Sequence, residues 1–313
     1  MAITQMSSLN SAGNAAFEQL AYFALRSQPL FEMVCDVKTT NQSHAGASVK
    51  FTKYSDLSQA TSAISETSDL TPSTMGDAQV TVTLAEYGNT IQTTAKARGT
   101  SFLNIDADAA NIIGYNMANS LDNIVHGILV AGSNVLYGGD ATATGELAAG
   151  DIMTAALVRK AVANARAASS PTFDGGVYVG FIHPDVSYDL RNATTVTDVI
   201  AHQNQQDAGA IRTGSIGVYG GVDFIETPRL DIGTNAGASN VDEYETIICG
   251  KQAMAKAVSR AAGFGEDPSV VFGPTTDLLR RFNHVGWYHL VGYSRFREAS
   301  IRRIESSSSI GAN

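Results

Sequence analysis

Residues 49–94 contain two extended segments in which apolar and polar residues alternate. The first is Val49–Tyr54 and the second is Gln79–Tyr87. In the second segment one face carries the apolar residues Val80, Val82 and Leu84. The other face carries Thr81, Thr83 and Ala85. A period of two residues predicts a strand with one buried face. The sequence between them, Ser55–Ala78, is rich in Ser, Thr and Asp and has no apolar core of its own.

This pattern predicts a long two-stranded ribbon. An isolated pair of strands is marginally stable in water, and its unpaired edges favour pairing with another chain. We therefore expect the ribbon to lie on a neighbouring copy of the protein. Neither the ribbon nor residues 1–45, which precede it, carry enough apolar surface to order themselves. We expect the chain to be less stable as a monomer than in an assembly, and protease to cut unassembled chains first within residues 39–94.

Helical periodicity is strongest over Ile105–Ala131, where it predicts a helix roughly 40 Å long. Asn104 is the expected N-cap, and acidic residues in the first turn complement the helix dipole. A helix of this length needs a sheet or neighbouring subunits to cover its apolar face. The residues expected not to tolerate truncation on that face are Ile113, Met117, Leu121 and Ile124.

Shorter elements are predicted on either side of this helix. A short helix is expected at 15–26, before Pro29, and a polar loop or loosely held helix at 194–213. The further predictions, in chain order, are a Gly-rich connection or small hairpin at 132–150, a helix at 151–168, a strand at 177–182, a helix from Pro184 to about Asn192, a hairpin at 214–228, a strand at 244–249, the start of a helix at 250–258 and extended segments at 286–304.

The composition is that of a globular protein with an unusually neutral surface. Apolar residues make up 44% of the 313 residues and charged residues only 16%. Few charges would need desolvation on association, which favours extensive subunit contacts but also fits a lectin or a secreted protein. Cys35 and Cys249 are far apart in sequence, which predicts reduced, buried thiols. The N-terminus has neither a basic leader nor an apolar region, and we expect no signal peptide and no membrane span.

Charge is unevenly distributed along the chain. The net charge of −9 argues against a protein that grips nucleic acid with its whole surface. Residues 277–313 carry a net charge of +3, whereas the ribbon at 50–94 carries −3. We therefore predict an intersubunit interface in which the ribbon lies on the C-terminal strands of the next subunit; the alternative is that these arginines face nucleic acid. The predicted interface residues are Lys50, Lys53, Asp56, Glu66, Asp69, Asp77, Glu86, Arg280, Arg281, Arg295, Arg297, Arg302 and Arg303.

Candidate catalytic motifs are incomplete. Gly292–Phe296 begins like a nucleophile elbow but ends in Phe, and Cys249–Gln252 lacks the upstream glycine and the Ser or Thr of a phosphate loop. His284 and His289 have no neighbouring Cys or paired carboxylates in sequence. The sequence therefore predicts no catalytic site, no cofactor and no metal. A hydrolase with a non-standard site remains a third alternative.

Several segments, read in order, resemble the major capsid proteins of tailed bacteriophages with the HK97 fold. Phe23–Pro29 followed by Val49–Leu57 is similar to a podophage-type subfamily, as are Glu86–Gly88 and the closing Gly286-Trp287. The likeness lies in the order of the elements and spans nearly the whole chain.

The resemblance implies an α+β fold divided into five regions. These are an N-terminal arm at 1–45, an extended hairpin called the E-loop at 46–99, a spine helix with the first part of the peripheral domain at 100–149, an axial domain at 150–275, and return strands with a tail at 276–313. It does not identify an Asn partner or catalytic carboxylate for covalent cross-linking at Lys50 or Lys53.

It also implies the function of a non-enzymatic shell protein. Pentamers and hexamers would assemble in the bacterial cytoplasm into an icosahedral virion capsid around double-stranded DNA, which the inner face contacts without sequence specificity. The expected partners are other copies of the chain, a separate scaffolding protein, a portal and a decoration protein, with no membrane. The alternative function from the residues alone is a secreted or surface lattice protein or lectin.

Overall fold

A computed structural model gives the fold. It describes residues 29–40, 48–67, 69–101, 105–192, 217–259, 267–273, 277–279 and 281–310. The strands are β1 Cys35–Thr40, β2 Ser48–Tyr54, β3 Asp77–Thr83, β4 Ala85–Thr94, β5 Val135–Tyr137, β6 Tyr178–Ile182, β7 Gly217–Tyr219, β8 Val222–Glu226, β9 Ile232–Gly233, β10 Glu243–Cys249, β11 Met254–Ser259, β12 Ser269–Gly273, β13 Phe282–Arg295 and β14 Ile301–Ser306.

Four α-helices lie in the described part of the chain: α1 Ala95–Thr100, α2 Ile105–Val130, α3 Ala155–Ala167 and α4 Pro184–Asn192. None of the described helices is long and apolar enough to cross a membrane. The predictions at 15–26, at Asn104 and at 194–213 lie outside the described residues.

The chain divides into two compact units. Among the described residues, the smaller unit comprises Gly88–Met117 and Pro268–Tyr288, and the larger unit comprises the rest. In the smaller unit, β12 runs antiparallel to the first half of β13, with Ser269 opposite Tyr288 and Gly273 opposite His284. Strand β4 also pairs with β13.

The core of the larger unit is a seven-stranded sheet. Its order is β5-β14-β10-β6-β8-β7, and β9 also pairs with β10. Helix α3 covers one face, where Val158, Ala161 and Val162 pack against Tyr178 and the other buried side chains of the sheet. All five residues of β6 are buried. Strands that are buried on both faces lack the alternation that marked the ribbon.

The predicted helix at 250–258 is wrong, because Met254–Ser259 forms strand β11. This strand lies between β1, to which it is parallel, and the second half of β13, to which it is antiparallel. Its alanines favour a helix by less than about 1 kcal/mol each, and pairing on both sides outweighs that preference. Small side chains are needed here because Ala255 and Ala257 lie under the side chains of the ribbon.

Most of the other secondary-structure predictions are confirmed in the described part of the chain. The helices α3 and α4, the strands β6 and β10 and the extended segments β13 and β14 occur where expected. The hairpin β7–β8 turns at Gly220 and Gly221, both with positive φ, which glycine adopts without a steric penalty. The connection at 132–150 is not a hairpin: its strand β5 runs parallel to β14.

Helix α2 has the predicted length, but its buried face differs in detail. Ile113 and Leu121 are buried as expected, whereas Met117 and Ile124 are only half-buried. Val125 and Leu129 are fully buried. The apolar spacing alone did not show which of these positions are the most buried, because all of them fall within one broad apolar stripe of the helix.

Both cysteines are free thiols, as predicted, but only Cys249 is buried; Cys35 is half-buried. Burial raises the pKa of the Cys35 thiol to about 12. Complete burial also raises the pKa of Cys249. Both side chains are therefore neutral near pH 7, and neither is an activated nucleophile.

Candidate assembly surface

The base of the ribbon packs on its own chain. Strands β2 and β3 pair antiparallel from Ser48 opposite Thr83 to Tyr54 opposite Asp77. On their buried face, Phe51 and Val82 contact Ala255 and Ala257 of β11. The expectation that the whole ribbon lies on a neighbouring subunit is therefore wrong for its base.

Glycine at position 292 permits this close approach. A Cβ at Gly292 would collide with the carbonyl oxygen of Thr83. The ring of Phe296 lies 5.8 Å from that of Phe51, between ring centroids, and helps to cover it. The base of the hairpin is thus held against β11 and β13 by side chains of this chain.

Beyond the base, the ribbon opens into a loop at 55–76, which we call the distal loop. Every described residue in it is exposed. Its ends are joined by a hydrogen bond from the Ser55 N–H to the Gly76 carbonyl (3.0 Å), and Thr67 N donates locally to Ser65 Oγ (3.3 Å). The distal loop has no helix or strand of its own among the described residues.

Large apolar side chains are spread along the distal loop and its entry. Ile64 is 74% exposed and Met75 is 71% exposed. The complete set is Tyr54, Leu57, Ile64, Leu70 and Met75. Complete burial of a Leu, Ile or Met side chain is worth about 1.5–3 kcal/mol relative to leaving it in water, and these side chains forgo most of that gain.

The predicted acidic interface residues lie on the same ribbon. Asp56, Glu66 and Asp69 are exposed in the distal loop, and Asp77 is exposed where β3 begins. Further residues from the prediction, also exposed, are Lys50 and Lys53 on β2 and Glu86 on β4. The ribbon therefore presents its charges outward, and their intersubunit role stays a prediction.

Three of the predicted arginines are partly or fully exposed and already have partners in this chain. Arg281 Nε lies 2.7 Å from Asp277 Oδ2, and Arg295 Nε lies 3.1 Å from Glu298 Oε2. Arg297 Nε donates to Gln252 Oε1 at 2.9 Å. Exposed pairs of this kind contribute only about 0–1 kcal/mol, so they can exchange partners on assembly.

Arg302 and Arg303 instead point into their own chain. Arg302 is buried, and its guanidinium donates to the Ile301 carbonyl (3.1 Å) and the Asn164 carbonyl (3.3 Å). Arg303 Nη2 lies 2.6 Å from Glu305 Oε1. The sequence could not separate these two from the surface arginines, and Arg280 lies outside the described residues. The basic surface is accordingly smaller than the charge count suggested.

The smaller unit exposes an apolar edge that the sequence reasoning missed. Three consecutive residues of β12, Val270, Val271 and Phe272, are 42%, 49% and 70% exposed. Leu278 and Leu279 follow and are also exposed. Next to Val271 lies a groove of about 570 Å³ that includes Trp287. The sequence signal for this edge was the run of three apolar residues on one strand. A strand with one solvated face instead alternates apolar and polar residues.

An internal anchor holds residues 30 and 31 on helix α2. Asp122 Oδ1 accepts hydrogen bonds from the backbone N–H groups of Leu30 (2.9 Å) and Phe31 (2.7 Å). Arg229 Nε donates to Asp122 Oδ2 at 2.8 Å. The ring of Phe31 is fully buried, 4.8 Å from the ring of His126. A carboxylate within an apolar helical stripe was the signal for this site.

The family model for phage capsid proteins matches residues 6–310. The chain belongs to the phage capsid protein family. No curated protein sequence matches it significantly.

Solved structures agree on the fold of this capsid protein. It is similar to the capsid of Ralstonia phage GP4, with a TM-score of 0.76, 15% identity and 100% coverage of both chains. It is also similar to the capsid of cyanophage Pam1, with a TM-score of 0.77, 16% identity, and coverage of 99% of this chain and 100% of the other. A third is the capsid of cyanophage P-SCSP1u, with a TM-score of 0.75, 15% identity, and coverage of 98% and 96%.

These matches confirm the α+β, HK97-like fold and the function of a major capsid protein that forms the virion shell. They give no support to the alternative of a secreted lattice protein or lectin. The family is a structural one, and many copies of the capsid protein assemble into the shell. The five regional boundaries predicted from the sequence stay predictions.

The capsid protein also contains a buried group of acidic residues, which we call the carboxylate cluster: Glu243, Glu245 and Glu305. Glu245 and Glu305 are directly opposite each other on β10 and β14, and Glu243 shares their face of the sheet. Arg303 Nη1 lies 3.4 Å from Glu245 Oε1, and Thr144 Oγ1 donates to Glu305 Oε2 at 2.6 Å. Burial raises the pKa of Glu243 and that of Glu245 to about 7.

This shift predicts a pH dependence of folding. Because the pKa of Glu243 is raised from 4.5 to about 7, its contribution to stability is present below about pH 4.5 and is lost as the pH rises through about 7. In metal-free buffer, we compare the free energy of unfolding of Glu243→Gln with that of the natural chain at about pH 5 and at about pH 8. The difference should shift in favour of the variant by at least about 1 kcal/mol at the higher pH. Urea unfolding at both pH values measures the difference. A difference in free energy of unfolding between the two proteins that does not change with pH would contradict the raised pKa of Glu243.

Proposed function

We propose that this protein assembles as pentamers and hexamers into an icosahedral shell, in which the distal loop of each subunit lies on its neighbour. The exposure of the apolar side chains of the distal loop carries this proposal. The base of the ribbon has its own core at Phe51 and Val82, whereas the distal loop has none. A fixed base with an uncovered end suits a segment that reaches from one subunit to the next.

Apolar contact supplies the affinity and charge selects the partner. Burial of five large apolar side chains would contribute several kcal/mol per interface before the cost of ordering the loop. The acidic residues Asp56, Glu66 and Asp69 would face the partly or fully exposed Arg281, Arg295 and Arg297 of the next subunit. Each exposed ion pair adds only about 0–1 kcal/mol, so charge would set register more than affinity.

The finer features of the shell also belong to this proposal. The shell encloses double-stranded DNA, and its inner face contacts that DNA without reading sequence. Assembly in the host cytoplasm uses a separate scaffolding protein, a portal and a decoration protein, and the protein itself catalyses no reaction. The net charge of −9 supports the weak, non-specific DNA contact, because a tightly gripping surface would be basic.

Two apolar residues near the tip of the distal loop give the test. The double variant Ile64→Ser and Leu70→Ser keeps the loop length and removes apolar surface that this chain does not bury. We expect soluble, folded subunits whose yield of shells falls by at least about tenfold. A loss of about 1.4 kcal/mol lowers the equilibrium constant of one contact tenfold, and every interface of the shell repeats that loss. Sedimentation and negative-stain microscopy measure the yield, and circular dichroism verifies the fold.

Thr61→Ser with Thr74→Ser is the matched control, because both residues are exposed in the same loop and neither change removes a large apolar group. The control should form shells at the natural yield. Normal shells from the Ile64 and Leu70 variant would show that the distal loop is not an assembly contact.

A further inference from the structure

Two oxygen atoms in the carboxylate cluster are buried without a partner. Glu243 Oε1 and Glu245 Oε2 are shielded from solvent, and no described group forms a hydrogen bond with either. Glu243 as a whole is only 7% exposed. A buried acceptor without a donor costs about 1–3 kcal/mol, and more when it is charged. A positively charged ligand would satisfy both oxygens.

Among the described residues, the charges of the cluster do not balance. Three carboxylates face one guanidinium, that of Arg303, which leaves two negative charges when all three are ionised. Arg303 and Thr144 contact Glu305, whose side chain is therefore held in place, while Glu243 Oε1 has no hydrogen-bond partner among the described residues. Buried charges in proteins are paired or coordinate metals. One divalent cation would restore neutrality.

The spacing of the ligand atoms suits such an ion. One oxygen from each of Glu243, Glu245 and Glu305 can be chosen so that all three lie within 4.8 Å of one another. Two oxygens that bind the same Ca²⁺ at about 2.3–2.6 Å can be no further apart than about 5 Å. Mg²⁺ demands shorter distances and near-octahedral geometry, which three carboxylates fixed on paired strands satisfy less readily.

We propose that Glu243, Glu245 and Glu305 bind one divalent cation, with Ca²⁺ preferred over Mg²⁺, between strands β10 and β14. The ion would join two neighbouring strands in the centre of the seven-stranded sheet and stabilise the folded subunit by mass action. All the ligands come from one chain. Failure of this inference would therefore leave the proposed role of the distal loop untouched.

Calorimetric titration tests the site directly. The purified full chain is treated with EDTA, exchanged into chelator-free buffer near pH 8 and titrated with CaCl₂ and, separately, with MgCl₂. We expect one Ca²⁺ per chain, weaker binding of Mg²⁺, and a higher melting temperature with Ca²⁺. No saturable Ca²⁺ binding up to millimolar concentrations would overturn the proposal.

Glu243→Gln and Glu245→Gln locate the ion. Loss of a residue that only hydrogen-bonds to a metal ligand typically lowers the affinity for the metal by about 10- to 100-fold. Loss of a direct ligand should lower the affinity for Ca²⁺ at least as much. Without cation, Glu243→Gln should be at least as stable as the natural chain, because it removes a buried negative charge whose Oε1 has no hydrogen-bond partner among the described residues. This stability separates loss of binding from misfolding.

Asp223→Asn is the matched control, since Asp223 is an exposed acidic residue on β8 of the same sheet. It should bind Ca²⁺ as the natural chain does. Unchanged Ca²⁺ affinity in both Gln variants would place the ion elsewhere and refute the site. If one Gln variant fails to fold, the other variant and the stoichiometry of the natural chain still decide.

Discussion

Replacement of Asp122 by Ala should lower the free energy of unfolding by about 3–5 kcal/mol, the usual cost of removing one partner from a buried ion pair. The Asp122 and Arg229 side chains are 2% and 5% exposed. The variant would leave Arg229 without its buried carboxylate and would remove the acceptor of the Leu30 and Phe31 N–H groups. Chemical denaturation of unassembled subunits measures the loss.

Asn123→Ala is the control for this prediction. Asn123 is the next residue of α2 and also contacts Arg229, through Oδ1 at 3.0 Å from Nη2, but it is exposed. Its loss should cost about 1 kcal/mol or less. Equal losses for the two variants would show that burial of the Asp122 pair does not determine its contribution.

Replacement of Phe51 by Ala should release the base of the ribbon from β11. Phe51 is 1% exposed, and truncation of a buried Phe typically costs about 3–5 kcal/mol. Opening of the hairpin should then become at least about 100-fold more frequent, since each 1.4 kcal/mol is a factor of ten. Trypsin should cut after Lys50 and Lys53 of unassembled subunits faster by a similar factor.

Thr52→Ala separates this effect from a general change in the strand. Thr52 adjoins Phe51 but is exposed on the opposite face, and both trypsin sites are retained. Its cleavage rate should match that of the natural chain. If Phe51→Ala is cut no faster than Thr52→Ala, the contact with Ala255 and Ala257 does not hold the hairpin.

Local periodicity was sufficient to predict much of the fold. The alternation at 79–87 located strand β3, although the structure ends that strand at Thr83 and begins β4 at Ala85. The spacing over 105–131 predicted α2 nearly to its ends. These elements have one buried and one solvated side, so their apolar residues recur with the period of a strand or a helix. The resemblance to capsid proteins rested on the order of such elements, and the family match confirms it.

The wrong predictions concern contacts that are distant in sequence. Strand β11 was predicted as a helix because its alanines favour one locally, whereas its two neighbouring strands lie far away in the chain. Arg302 and Arg303 were counted with the surface arginines, because a sequence does not show whether a charged side chain points to solvent or into its own chain. The Asp122 anchor and the carboxylate cluster likewise depend on pairings that a single sequence does not specify.

An electron cryo-microscopy structure of the assembled shell tests the central claim most directly. We predict that residues 55–76 of each subunit lie on a neighbouring subunit. The side chains of Leu57, Ile64, Leu70 and Met75, exposed in the single chain, should be buried there. Pentamers and hexamers should use the same contact. A shell in which the distal loop remains in solvent, or folds back onto its own subunit, would contradict this account.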